Sequence, residues 1–151
     1  MKKFLILVLL LTSCFSEEKG EFVGDTNLML NKTRPQKGKN KELVIFKIKI
    51  AQSAKDWEEG LMYYKSMPER HGMFFDFGTS SKIRMWMKNT YIPLDMLFFK
   101  EDKKVAYIFR NAKPEDLTTI GPTFNVRYVL EINAGEVEKL GIKIGDTLEG
   151  I

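Results

Sequence analysis

The chain has little of what most metal sites and hydrolytic centres are built from. Its 151 residues include one cysteine, Cys14, and one histidine, His71. A single cysteine excludes an internal disulfide, so a domain outside the cytoplasm would have to hold together by packing alone. One histidine excludes Cys/His zinc spacing, and triad chemistry would rest wholly on His71, in a turn between Pro68 and Gly72. There is no phosphate loop, no GxSxG elbow and no dinucleotide fingerprint, so no cofactor is implied. Charge of one sign is also missing: 24 basic residues face 20 acidic ones, a net +4 without the basic stripe that nucleic acid needs. No internal repeat occurs. What is present is ordinary globular composition, 44% hydrophobic and 29% charged, at a length that predicts one domain with a real core.

The longest apolar run, Phe4 to Leu11, follows Lys2 and Lys3. It suits the core of an export signal and is far shorter than the roughly 20 residues that span a bilayer. Leu11-Thr12-Ser13-Cys14 resembles the lipobox of bacterial lipoproteins, which implies cleavage before Cys14 and acylation of its thiol. Two or three acyl chains on one residue anchor a protein stably where one would not. The expectation is a signal peptide over 1–13, a polar tether over 14–41 and a globular domain over 42–151, held by lipid to a membrane of the bacterial cell envelope. Lys32, Arg34, Lys37, Lys39 and Lys41 read as solvated tether, with loose attraction to anionic headgroups as the functional alternative. Leu28-Met29-Leu30 is a possible edge strand within it.

From Leu43 the pattern is short strands and turns. Leu43–Ile50 is β-branched and aromatic, a strand buried partly on both sides. Ser53 with Asp56 predicts a capped helix that ends before Pro68, with Trp57 and Leu61 on its inner face. Strands are expected at Met73–Phe77, Ile83–Lys88, Leu94–Phe99, Val105–Arg110, Tyr128–Ile132 and Thr147–Glu149. Turns fall at Gly78–Ser81 and Glu101–Lys104, a loop at Asn111–Asn125, and a short helix at Glu136–Leu140. The fold class is mainly β: a single sandwich or barrel-like domain with two short helices.

Three blocks carry a family resemblance: GLMYYKSMPERHGMFFDF (Gly60–Phe77), WMKNTYIPLDMLFF (Trp86–Phe99), and YVLEINAG (Tyr128–Gly135) with the late Gly145-Asp146. Together they resemble domain of unknown function 192, also called uncharacterised protein family 0127, over about Leu43 to Glu149. The resemblance implies a mainly-β, often exported domain with no established activity. That family usually has an arginine shortly after GLM, where this chain has Tyr64 and then Lys65. A buried acid served by that arginine would here turn to Arg84 or Lys88.

Several side chains are candidates for chemistry. Asp95 lies in an otherwise apolar strand, so burial would require partners; backbone amides, Asn89 and Thr90 would lock the adjacent bend, or Asp95 would orient Lys88 or Asn89 toward a ligand. Alternation sets Arg84, Trp86 and Lys88 opposite Ile83, Met85 and Met87. An aromatic flanked by cations suits a saccharide-like or carboxylate ligand, or is simply a half-buried surface strand. Glu131 shares a face with Val129 and is expected to be solvated or lysine-paired. Its alternative is to form an acid pair with Asp95 for glycoside-type hydrolysis. Thioethers of Met73, Met85, Met87 and Met96 near His71 would suit Cu(I), but methionine more often fills cores, so no metal site is expected. The leading expectation is a lipid-tethered, non-catalytic domain that binds a small polar or glycan ligand through Arg84, Trp86, Lys88, Asn89 and Asp95. A hydrolase or lyase using Asp95 and Glu131, and a protein-assembly lipoprotein, are the alternatives.

Overall fold

The computed structural model describes residues 18–32 and 42–150. Cys14, the signal segment and Arg34, Lys37, Lys39 and Lys41 lie outside the described residues. The strands are β1 (Lys19–Glu21), β2 (Thr26–Lys32), β3 (Glu42–Ala51), β4 (Tyr64–Ser66), β5 (His71–Ser81), β6 (Leu94–Phe99), β7 (Val105–Ala112), β8 (Val126–Asn133) and β9 (Thr147–Glu149). Two helices, α1 (Ala54–Glu59) and α2 (Glu136–Lys139), complete the fold. Seven strands form one curled half-barrel sheet in the order β7-β6-β8-β5-β3-β2-β9, while β1 and β4 make a small parallel sheet. The mainly-β architecture expected from the sequence is the one observed.

Sheet curvature is large enough that the two outer strands meet. Val105 N–H donates to Asp146 O at 2.8 Å and Leu148 N–H to Lys103 O at 3.0 Å, joining β7 to β9. Inside the curl, alternate residues of every large-sheet strand pack together, including Leu30, Phe46, Phe74, Leu97, Leu130 and Leu148. The outer face of the middle strands is also apolar, with Met73, Phe75, Met96, Phe98 and Val129. It is covered by irregular chain that contributes Phe22, Leu61, Met85, Met87, Ile92 and Ile120. Burial on both faces explains the near-continuous apolar run of β6, all six residues of which are buried.

Local signals place the connections. Ser53 and Asp56 form the expected reciprocal capping box, and the helix stops at Gly60, whose φ of 46° lies in the left-handed region. Gly72 lets β5 approach β8 closely: a Cβ there would meet Glu131 O at 2.4 Å.

Four expectations are corrected. First, the stretch read as tether contains β1 and β2, and β2 sits between β3 and β9 rather than at an edge. Phe22, Leu28 and Leu30 are fully buried, so the domain begins near residue 19 rather than 42. Second, Ile83–Lys88 alternates in burial as predicted but is not a strand; it holds a single bridge, Met85 to Ile120, because the chain beside it, 116–120, is itself an irregular loop. Third, Gly78–Ser81 is not a turn: β5 continues through it with an irregular register. Fourth, β3 is one-sided along its length, leaving Leu43, Ile45 and Ile50 exposed.

Phe22→Ala should cost about 3–5 kcal/mol, the usual penalty for emptying a buried aromatic site. Urea denaturation checks this, and a chain begun at Glu42 should show no cooperative unfolding at all.

Candidate functional site

Strand β8 carries the most unusual group. It pairs with β5 and β6, setting Glu131 directly across from Met73 on one side and Met96 on the other. Directly opposed residues share a face, so the carboxyl lies between two thioether side chains that offer no strong donor. Glu131 is 4% exposed, and burial pushes its pKa up to about 8. No described side chain or backbone amide lowers it. At neutral pH the group is therefore mostly an uncharged acid, able both to donate and to accept a hydrogen bond.

Above it lies a narrow cleft with about 20 Å³ of room, enough for about one water molecule. Its walls come from Trp57 to Met62, from Met85, Trp86, Lys88 and Thr90, and from Phe75, with Glu131 among the lining residues. The walls are held by their own bonds. Trp57 Nε1–H donates to Ala51 O at 3.1 Å, and its indole packs on Phe77 at 5.2 Å between ring centroids. Asn89, at a left-handed φ of 52°, receives Tyr63 N–H on its carbonyl at 2.9 Å and donates from Nδ2 to Tyr63 Oη at 2.9 Å. Thr90 Oγ1 donates to Lys88 O at 3.2 Å. At the rim Trp86 is 42% exposed, with the Lys88 ammonium 5.0 Å from its ring centroid.

The proposed ligand set is thus only partly assembled. Trp86 and Lys88 do meet at the cleft. Arg84 instead spends its guanidinium on the carbonyls of Ile83 and Pro122, fixing the loop that covers the sheet. Asn89 is a wall support. Asp95 is buried on the opposite face, where Oδ1 accepts from Asn111 N–H at 2.9 Å and Oδ2 from Gly135 and Val137 N–H at 2.9 and 3.0 Å. Those backbone amides, rather than Asn89 or Thr90, satisfy it. It pins the start of α2 and the end of β7.

An acid pair is therefore ruled out by the pleat. Asp95 lies opposite Ile132, the residue after Glu131, so the two carboxyls project from opposite sides of the sheet. The solvated or lysine-paired reading of Glu131 is likewise corrected, since a second layer of chain covers its face. Sequence reasoning missed Trp57, Met62 and Thr90 as neighbours of Trp86; the adjacency of the GLM and WMKNT blocks was the available signal. Tyr64 lies away from this cleft, edge-on to Phe22 at 5.1 Å with the Lys19 ammonium 4.8 Å over its ring. Among the described residues no three of His, Cys, Asp and Glu cluster as metal ligands.

Blocks GLM, WMKNT and VLEIN thus converge on a single cleft, and the comparison with families agrees with their pattern. The family model DUF192, "Uncharacterized ACR, COG1430", matches residues 35–150. The chain belongs to this family. No curated protein matches it. A crystal structure from Sinorhizobium meliloti 1021, whose description proposes a transcription regulator, is 39% identical with a TM-score of 0.76; the match covers 85% of this chain and 97% of that one. A protein of unknown function from Novosphingobium aromaticivorans DSM 12444 is 31% identical with a TM-score of 0.74, covering 82% and 84%.

The raised pKa of Glu131 has a definite sign for stability. Between the unfolded value, 4.5, and about 8, the unfolded chain releases a proton that the folded chain keeps, so stability falls as pH rises through that window. Urea titrations at pH 5 and pH 8.5 should show the unsubstituted protein losing a few kcal/mol more than Glu131→Gln, which has no proton to release.

Proposed function

We propose that this member of the DUF192 family is a bacterial envelope lipoprotein whose domain binds, without transforming it, the polar end of a small saccharide-like ligand in the cleft over Glu131. One observation carries the reading: a buried, unpaired carboxyl held uncharged beneath an exposed tryptophan and lysine. A neutral acid matches a hydroxyl or amide by donating one bond and accepting another. Trp86 supplies apolar area for a ring face, and the Lys88 ammonium a further donor. The room above the carboxyl is only about 20 Å³, enough for about one water, so a single polar group at the end of a ligand is what can reach Glu131. Catalysis by paired acids has no support, because the second carboxyl lies through the sheet. The regulator description given to the Sinorhizobium protein finds no recognition helix here, since α1, the longer of the two described helices, has six residues.

The lipid half of this reading is tested at Cys14. Radiolabelled palmitate should enter the unsubstituted protein and be absent from Cys14→Ser; equal labelling would overturn lipidation at this residue.

For the ligand half, a soluble form carrying Cys14→Ser is screened by thermal shift against envelope glycans and metabolites. At a hundredfold excess over its dissociation constant, a true ligand should raise the melting temperature by about 5–10 °C. Trp86→Ala, at a half-exposed site, should keep its own melting temperature yet lose most of that shift. A full shift in Trp86→Ala would remove the aromatic platform from the mechanism.

A further inference from the structure

The point at which the chain enters the fold limits how an anchored domain can sit. Cys14 and Glu18 are separated by four peptide units, at most about 14 Å when fully extended. From Glu18 onward the chain is bound to the domain. Glu18 is ion-paired with Lys65 and Lys19 with Glu59, and Lys19 N–H donates to Tyr63 O at 2.9 Å. β1 then pairs with β4, and Phe22, fully buried, donates its N–H to Ser66 O at 2.8 Å. An anchor at Cys14 therefore holds Glu18 within about 14 Å of the acylated residue.

The edge nearest that anchor exposes Val23 at 53% and Ile50 at 37%, and the grooves along it carry both lysines, Lys19 and Lys49, and acids, Glu18, Glu21 and Glu59. Such a mixture suits the boundary between headgroups and acyl chains, where apolar side chains dip in and long side chains carry their charges, here paired as Lys19–Glu59 and Lys65–Glu18, at the wet level. The edge is also continuous with the cleft. Glu59 and Gly60 border both the Glu131 cleft and a second groove that includes Lys19, Lys49 and Tyr64. A third groove shares those three residues and runs on to Glu18 and Glu21.

We propose that the β1–β4 edge rests on the bilayer that holds the acyl chains of Cys14, and that the three adjoining grooves lead from the lipid headgroups to Glu131. This rests on the lipoprotein reading and adds an orientation to it. The cleft then samples ligands at the membrane surface rather than in the open compartment.

The test uses the full, lipidated chain in vesicles of phosphatidylethanolamine and phosphatidylglycerol that carry a headgroup nitroxide. Because Cys14 is the only cysteine and acylation occupies its thiol, Val23→Cys and Leu43→Cys each accept one fluorophore. Asp25 N–H bonds Ile48 O at 3.1 Å, tying Val23 to the Ile50 end of β3, whereas Leu43 lies seven residues back, about 23 Å along the strand. Ile50→Cys is the second probe of the edge should Val23→Cys fail to fold. Quenching at the edge probe should exceed that at Leu43 at least twofold. With the fatty acid confirmed by mass, equal or reversed quenching overturns the orientation while leaving the lipoprotein reading intact. A free thiol at residue 14 in the unsubstituted chain overturns both.

Discussion

Burial of the middle strands on both faces is the constraint from which the rest of this molecule follows. A curled sheet always encloses one core, but β5, β6 and β8 carry apolar side chains on the outer face as well. That outer face cannot be left in water, so the chain must supply a second layer, and among the described residues no long helix does so. Short irregular segments do so instead, held by backbone bonds such as Met85 N–H to Ile120 O and Met87 N–H to Asp116 O. Glu131 is the one acidic residue buried under this layer in the middle strands' outer core, and its shift in proton affinity is a direct result. The cleft is where the layer fails to close over it.

The two acids of the middle strands illustrate how the environment divides roles between identical groups. Asp95 meets three backbone N–H groups and becomes a fixed joint between β7, the loop before α2 and α2 itself. Glu131 meets methionines and keeps its bonding capacity unused. One is structural because it is satisfied, and the other is available because it is not.

Much of the fold was legible. The capping box at Ser53, the apolar run of β6 and the hairpin turn at Glu101–Lys104 each follow from local rules that the structure obeys. Residues 19–32 were not, because β2 has only three consecutive apolar residues and is stabilised by neighbours remote in sequence, β3 and β9. Alternation at Ile83–Lys88 reported burial correctly but not hydrogen bonding, since one-sided burial gives the same period with or without a partner strand. For the site, Trp86 and Lys88 were legible as an exposed aromatic and a cation on one face. The burial of Glu131 was not, because irregular covering chain leaves no period in the sequence. Arg84 and Asn89 looked like ligand grips because sequence shows a side chain's donors and not the carbonyls or hydroxyl they find.

The near-meeting of the two outer strands also bears on how the molecule survives in crowded surroundings. An open sheet offers a row of free amides and carbonyls on which a second chain can build, the first step toward fibrils. Here β9 is only three residues long and is joined to the start of β7, while the pairing of β7 with β6 is interrupted by two register shifts that bend it away from a flat template. A protein with no disulfide can thus resist self-templated aggregation through geometry alone.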